Sequence, residues 1–140
     1  EDIGAQVHIE NHEAGTLFGD IITNMKFDMV LCTWGSGADP DGEALWHSEQ
    51  RPDEYGTGQN FIGYVNEELD ALLIQGKKER EQEKRKEIYY EVQEILAEDV
   101  PSLFIYFNEN IVAVPSNLEN FKPNSTQSGN TWNIHDWKLN

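Results

Sequence analysis

Apolar and polar positions change their period several times along this 140-residue chain. Residues 6–10 alternate, with Val7 and Ile9 on one side, which predicts a short strand. Residues 14–24 place Leu17, Ile21 and Ile22 near a helical repeat and predict a short helix. Residues 27–33 are continuously apolar apart from Asp28, the pattern of a strand covered on both faces. Strand, helix, strand in that order is a βαβ unit. It implies parallel pairing and a right-handed crossover.

Residues 34–60 keep no period. They hold Gly, Asp, Pro and Ser throughout, with one turn of helix expected around 43–47. A connection this long is uncommon unless it is functional or disordered. Trp34, Trp46, Tyr55 and Phe61 argue against disorder. Helix resumes at Asn66, a good N-cap, with Leu69, Leu72 and Leu73 on one face and Gly76 as its expected end. A second helix over 81–99 carries Ile88, Val92, Ile95 and Leu96 at i, i+4, i+7 and i+8. Glu81 lies four residues before Arg85, a favourable pair. Val100-Pro101 ends that helix. Residues 102–107 (SLFIYF) and 111–114 read as further strands around a turn-like break at 108–110. From Pro115 the chain is rich in Asn, Ser and Thr, and this shift after about Asn110 is the one candidate boundary. There is no internal repeat.

Composition narrows the class. The length suits one core. The net charge is −16, and outside residues 77–86 four Lys or Arg face 23 Asp or Glu. Such a surface repels phosphate backbones and anionic lipid heads, so nucleic acid is not an expected partner. The basic cluster at 77–86 is interleaved with Glu79, Glu81 and Glu83 and reads as a solvated helix face. No apolar run approaches the ~20 residues that span a bilayer. The lone Cys32 sits in the apolar run MVLC and is expected to be a buried, inert thiol. The chain opens at Glu1 on what reads as the tail of a helix-to-strand connection, with Gly4 as a C-cap. The expectation is a piece of a larger protein, with any targeting signal outside it.

Candidate chemistry is sparse. Asp39, Asp41 and Glu43 suggest a calcium loop, but Ala44 stands where that loop needs Gly. His8, His12, His47 and His135 follow no zinc-ligand spacing, so no metal site is expected. No Gly-rich loop cradles a phosphate, and no cofactor is expected. Asn124-Ser125-Thr126 fits a glycosylation sequon, which matters only in a eukaryotic secreted protein. The positive signal is Trp34, placed where residues 27–33 end and followed by Gly35 and Gly37, which leave backbone groups open to a ligand. This Trp reads either as the wall of a pocket or as the edge of a core. Two further readings stay open: a small acidic hydrolase using Asp39, Asp41 and His47, and an interaction module presenting the aromatic-rich tail.

The order of three stretches, FDMVLCTWGSGADPDGEALWHS, GQNFIGYVNEELDALL and KRKEIYYEVQEILAEDVPSLFIYF, resembles the C-terminal part of the extracellular solute-binding proteins (family 5) of peptide and nickel ABC importers. The likeness is greatest to the oligopeptide-binding branch and runs from about Gln6 to Trp137. It implies an α/β, two-lobed fold of the type II periplasmic-binding-protein kind. Residues 1–108 would form part of the C-terminal lobe, and residues 109–140 would return to the other lobe. The implied function is binding of an oligopeptide or other small solute and its delivery to ABC transporter permease subunits, without catalysis or catalytic residues. The implied location is extracellular or periplasmic, as a lipoprotein whose anchor lies outside this chain. The implied substrate-binding set is Trp34, backbone groups of Gly35 and Ser36, and Asp39, Tyr106 and Asn108. Many peptide-binding members carry an Asp three residues after this Trp, which pairs with the peptide's amino group. Here that position is Gly37, with Asp39 two residues on. Some members take oligosaccharides or nickel chelates instead.

Overall fold

Two long helices dominate the packing in the computed structural model, which describes residues 4–35, 37–52, 58–109, 111–124 and 129–140. In chain order, α1 (Ala14–Thr16) runs into a π-helical turn (Leu17–Ile22). Next, α2 (Glu43–Trp46) leads into a 3-10 turn (Ser48–Gln50). The helical pair is α3 (Glu67–Lys78) and α4 (Gln82–Asp99). A minimal sheet closes the chain, β1 (Leu118–Glu119) against β2 (Lys138–Leu139), with a 3-10 turn (Ile134–Asp136) between them.

Helix α3 starts where the sequence says it should. The Asn66 side-chain oxygen accepts from the Leu69 N–H at 3.0 Å, and Glu67, Glu68 and Asp70 fill the first turn, where the helix dipole favours carboxylates. Leu69 and Leu73 are fully buried against Tyr89 and Val92 of α4, with Trp46, Tyr64, Leu72, Ile95 and Leu96 around them. Gly76 is not the helix end. The helix continues to Lys78, and Gly76 is buried inside it because Tyr89 packs on its bare Cα. A Cβ at this position would stand 3.0 Å from the Tyr89 ring, closer than ordinary contact.

Helix α4 buries Ile88, Tyr89 and Val92, so its buried stripe includes an aromatic one position off the aliphatic repeat. It ends at Val100, whose φ of 46° is left-handed, an unusual state for a β-branched residue. Pro101 then prevents continuation. The Tyr64 hydroxyl donates to Asp99 Oδ2 at 2.5 Å and Asn66 Nδ2 donates to the same oxygen at 3.0 Å. These bonds tie the end of α4 to the entrance of α3.

The expected βαβ unit is not formed. Residues 6–10 and 27–33 run without strand pairing, and so do the described residues of 102–107 and 111–114. Strand formation needs a ladder partner for every second N–H and C=O, and the described residues supply none. Their apolar side chains stand in the open: Met29 is 86% exposed and Phe107 98%. Cys32 is exposed as well, against the expectation of a buried thiol. The helix expected over 14–24 is present as α1 and its π turn, with Ile22 buried. Among the described residues the one sheet is antiparallel, pairing Leu118 with Leu139 and Glu119 with Lys138. Buried Asn133 braces it, donating to Asn120 O at 2.8 Å and accepting from Trp137 Nε1 at 3.0 Å.

Candidate functional site

Trp34 falls between the two sequence readings. It packs against Phe18 (ring centroids 6.1 Å apart) and edge-on against Phe61 (5.7 Å), yet 42% of it remains exposed. The three rings join the π turn, the end of 27–33 and the loop before α3. A half-open aromatic face of this kind gives a ligand a broad apolar wall. Gly35 and Gly37 beside it are exposed; Ser36 lies outside the described residues.

The loop after Trp34 is clipped to the helical pair by charge. Asp39 Oδ1 accepts from the Asp41 N–H at 3.0 Å and from Arg85 Nη2 at 2.7 Å. The Arg85 hydrogen bond is the main reason this carboxyl stays below the usual carboxylate range. Arg85 Nε also donates to Gly76 O at 2.9 Å, and the guanidinium lies over the Tyr89 ring, 5.1 Å from its centroid. One residue of α4 therefore holds the end of α3 and the Asp39 turn together. Asp41 Oδ1 caps the Glu43 N–H at 3.0 Å, and Lys77 pairs with Glu43. Asp39 is thus tied to the fold through Arg85 although its side chain remains exposed.

His47 is similarly engaged. Its Nδ1 accepts from the Glu49 N–H at 3.1 Å, so it has no proton to give Asp70, whose Oδ1 stands 3.8 Å away. Asp70 instead accepts from the Ser48 N–H at 2.9 Å and the Ser48 hydroxyl at 2.5 Å. Asp39, Asp41 and His47 each have separate structural partners, and among the described residues no hydrogen bond joins the His47 ring to Asp39 or Asp41. Among the described residues, no group of three or more His, Cys, Asp or Glu could hold a metal ion.

A residue the sequence did not single out closes the loop. Asn60 is fully buried, donates to His47 O at 3.1 Å and Tyr64 O at 2.7 Å, and accepts from the Tyr64 N–H at 3.0 Å. Both polar atoms of its buried side chain are thereby satisfied, in the loop that carries Phe61. In sequence its neighbour Phe61 reads only as evidence against disorder, and Asn60 itself, an Asn before a tight turn, is not singled out. Tyr106 is 68% exposed and Asn108 is exposed. Among the described residues, no hydrogen bond or ring contact ties either one to Trp34. Their segment is held at Phe104, edge-on to Trp46 at 6.2 Å. The structure therefore gathers Trp34 and the Asp39 turn on the helical scaffold and leaves Tyr106 and Asn108 apart.

The chain is similar to an oligopeptide-binding protein, AppA, of Bacillus subtilis (strain 168), 30% identical over 116 residues, which are 83% of this chain and 20% of that protein. It is also similar to an uncharacterized lipoprotein of Mycobacterium bovis, 24% identical over 115 residues. A third relative is a lipoprotein of Mycobacterium tuberculosis (strain H37Rv), 21% identical over 114 residues. Each mycobacterial match covers 81% of this chain and 20% of the relative. The chain spans about a fifth of the length of the curated relatives it matches. No family model and no solved structure matches it. Among the described residues, no helix is long and apolar enough to cross a membrane.

Proposed function

We propose that this chain is part of the C-terminal lobe of a two-lobed solute-binding protein that takes up an oligopeptide or another small solute. The protein delivers it to the permease subunits of an ABC importer. The observation that carries the reading is the similarity to an oligopeptide-binding protein over 83% of the chain. The unpaired apolar segments support it, since they read as strands whose partners belong to a larger sheet. In this reading residues 1–108 belong to one lobe and 109–140 return to the other. Trp34 walls the cleft, and backbone groups of Gly35 and Ser36 meet the peptide backbone. Tyr106 and Asn108 join them only when the second lobe is present. Asp39 contributes by fixing the loop through Arg85, not by touching the ligand. Hydrogen bonds from backbone groups beside an aromatic wall tolerate many side chains, which suits a peptide carrier. The site binds and releases and does no covalent chemistry. The protein works outside the cytoplasm, held to the membrane by a lipid.

The test is native mass spectrometry of the longer protein purified from its own cells. Bound peptides of mixed sequence are the expected result. A saccharide or a metal chelate in their place overturns the peptide assignment, and a preparation free of any small solute that also ignores added peptides overturns the carrier reading.

A further inference from the structure

The basic cluster at 77–86 reads in sequence as a solvated helix face, yet two of its cations are bound to the loop that follows Trp34. Lys77, near the end of α3, pairs with Glu43 and stands 4.0 Å from Asp41 Oδ2. Arg85, in the first turn of α4, holds Asp39 and reaches back to Gly76 O. All three carboxylates belong to one stretch, residues 39–43. Gly42, in the middle of it, lies so close to Trp46 that a Cβ there would stand 2.8 Å from the ring's Cδ1. Two cations and one aromatic ring therefore seat this stretch on the corner where α3 meets α4. The Glu43 and Arg85 side chains are only 18% and 26% exposed, so these pairs are better sheltered than fully open ones, while Lys77 and Asp39 stay open to salt. Five residues upstream of Asp39, Trp34 is held by Phe18 and Phe61. The backbone that carries Gly35 and Gly37 is thus tethered at both ends. Glycines lose the most conformational freedom when ordered, so a tether that orders them in advance matters most where they stand.

We propose that Lys77 and Arg85 are positioning residues for solute binding. Through Glu43, Asp41 and Asp39 they hold the glycine backbone beside Trp34 in its binding geometry, without touching the ligand themselves. This role rests on the carrier reading above and extends it to two side chains outside the site. It has a consequence in salt. An uncharged peptide brings no charge of its own, so screening reaches its binding only through charges of the protein, and this clamp is made of them.

The experiment titrates the longer protein with short Ala/Leu peptides, acetylated and amidated so that they are neutral, at low and high salt. Wild-type affinity should fall about twofold or more at high salt. The Lys77→Gln/Arg85→Gln variant should bind about three- to tenfold more weakly at low salt and lose the salt dependence. Arg85→Lys should lie between, and Lys84→Gln, whose partner is Glu81, should change nothing. Reversing one pair, Glu43→Lys/Lys77→Glu, should recover affinity that Lys77→Glu alone loses, and urea melts check that each variant folds. In the 140-residue chain, amide relaxation by NMR should find Gly35 and Gly37 ordered in wild type and loosened in the double glutamine variant. Wild-type affinity indifferent to salt, full binding by the double variant, or glycines as ordered in it as in wild type overturns the proposal. A wild-type protein that binds no peptide and carries none from its cells overturns the carrier reading and this role with it, whereas wild-type binding that the variants leave unchanged overturns this role alone.

Discussion

At the residue scale Trp34 and Gly76 make opposite arguments. Trp34 contacts two rings and stays 42% exposed, so removing it opens no sealed cavity. Trp34→Ala should cost about 1–2 kcal/mol of stability, below the ~3–5 of a fully buried aromatic. In the longer protein it should weaken solute binding by roughly 5- to 150-fold, the equivalent of about 1–3 kcal/mol of packed aromatic contact. A urea melt and a ligand titration on the same variant separate the two effects. A large stability loss with an unchanged dissociation constant would place the binding wall elsewhere. At Gly76 two effects compete. Alanine gains ~1 kcal/mol of helix propensity, while its Cβ would crowd the Tyr89 ring at 3.0 Å. Tyr89 is pinned by the Leu69–Leu73 core and by Arg85, so it cannot swing away freely. Crowding should win, and Gly76→Ala should lower stability by about 1 kcal/mol; a stabilised variant would show that Tyr89 can move.

The elements divide by whether their stabilising partners are local. Helices α3 and α4 were legible because their signals lie within a few residues: Asn66 as cap, Leu69 and Leu73 one turn apart, Ile88 and Val92 likewise. Residues 6–10 and 27–33 carried equally clear strand patterns, yet a strand needs a partner that the pattern does not specify, and none lies among the described residues. The site shows the same division. Trp34 was legible as the end of an apolar run, but Phe18 and Phe61 are far from it in sequence and only tertiary packing brings them there. The junction of α3 with α4 makes a pH prediction. Burial, then the hydrogen bond to Asp99, pushes the Tyr64 hydroxyl up to about 12 from an ordinary value near 10. Unfolded Tyr64 therefore loses its proton before the folded form does. The stabilisation is complete below about pH 10 and falls away between pH 10 and 12. Tyr64→Phe should flatten that part of the stability curve relative to wild type. A variant curve with the same slope would assign the alkaline loss to other groups, such as Tyr89, whose hydroxyl burial also raises.

For the whole molecule the deciding contrast is between one well-packed helical pair and several bare apolar segments. Leu69 and Leu73 are sealed, while Val7, Ile9, Met29, Leu31, Leu103 and Phe107 are each at least 75% exposed. Water is a poor environment for so many apolar groups on segments that also leave backbone N–H and C=O unpaired. If these segments are strands of a larger sheet, their amides should change state with context. In this chain alone, hydrogen exchange over residues 27–33 and 103–107 should be fast, while residues 69–73 and 88–92 exchange slowly through the α3–α4 core. In the longer protein the first two segments should become protected by several orders of magnitude, because pairing buries both edges. The same logic limits binding. One wall of a cleft excludes little water and fixes few ligand groups, so calorimetry on this chain should find no sub-micromolar peptide affinity. Tight binding by the 140-residue chain, or protection of residues 27–33 without further sequence, would mean the domain is complete in itself. The bare segments would then be its own binding surface and not half of a sheet.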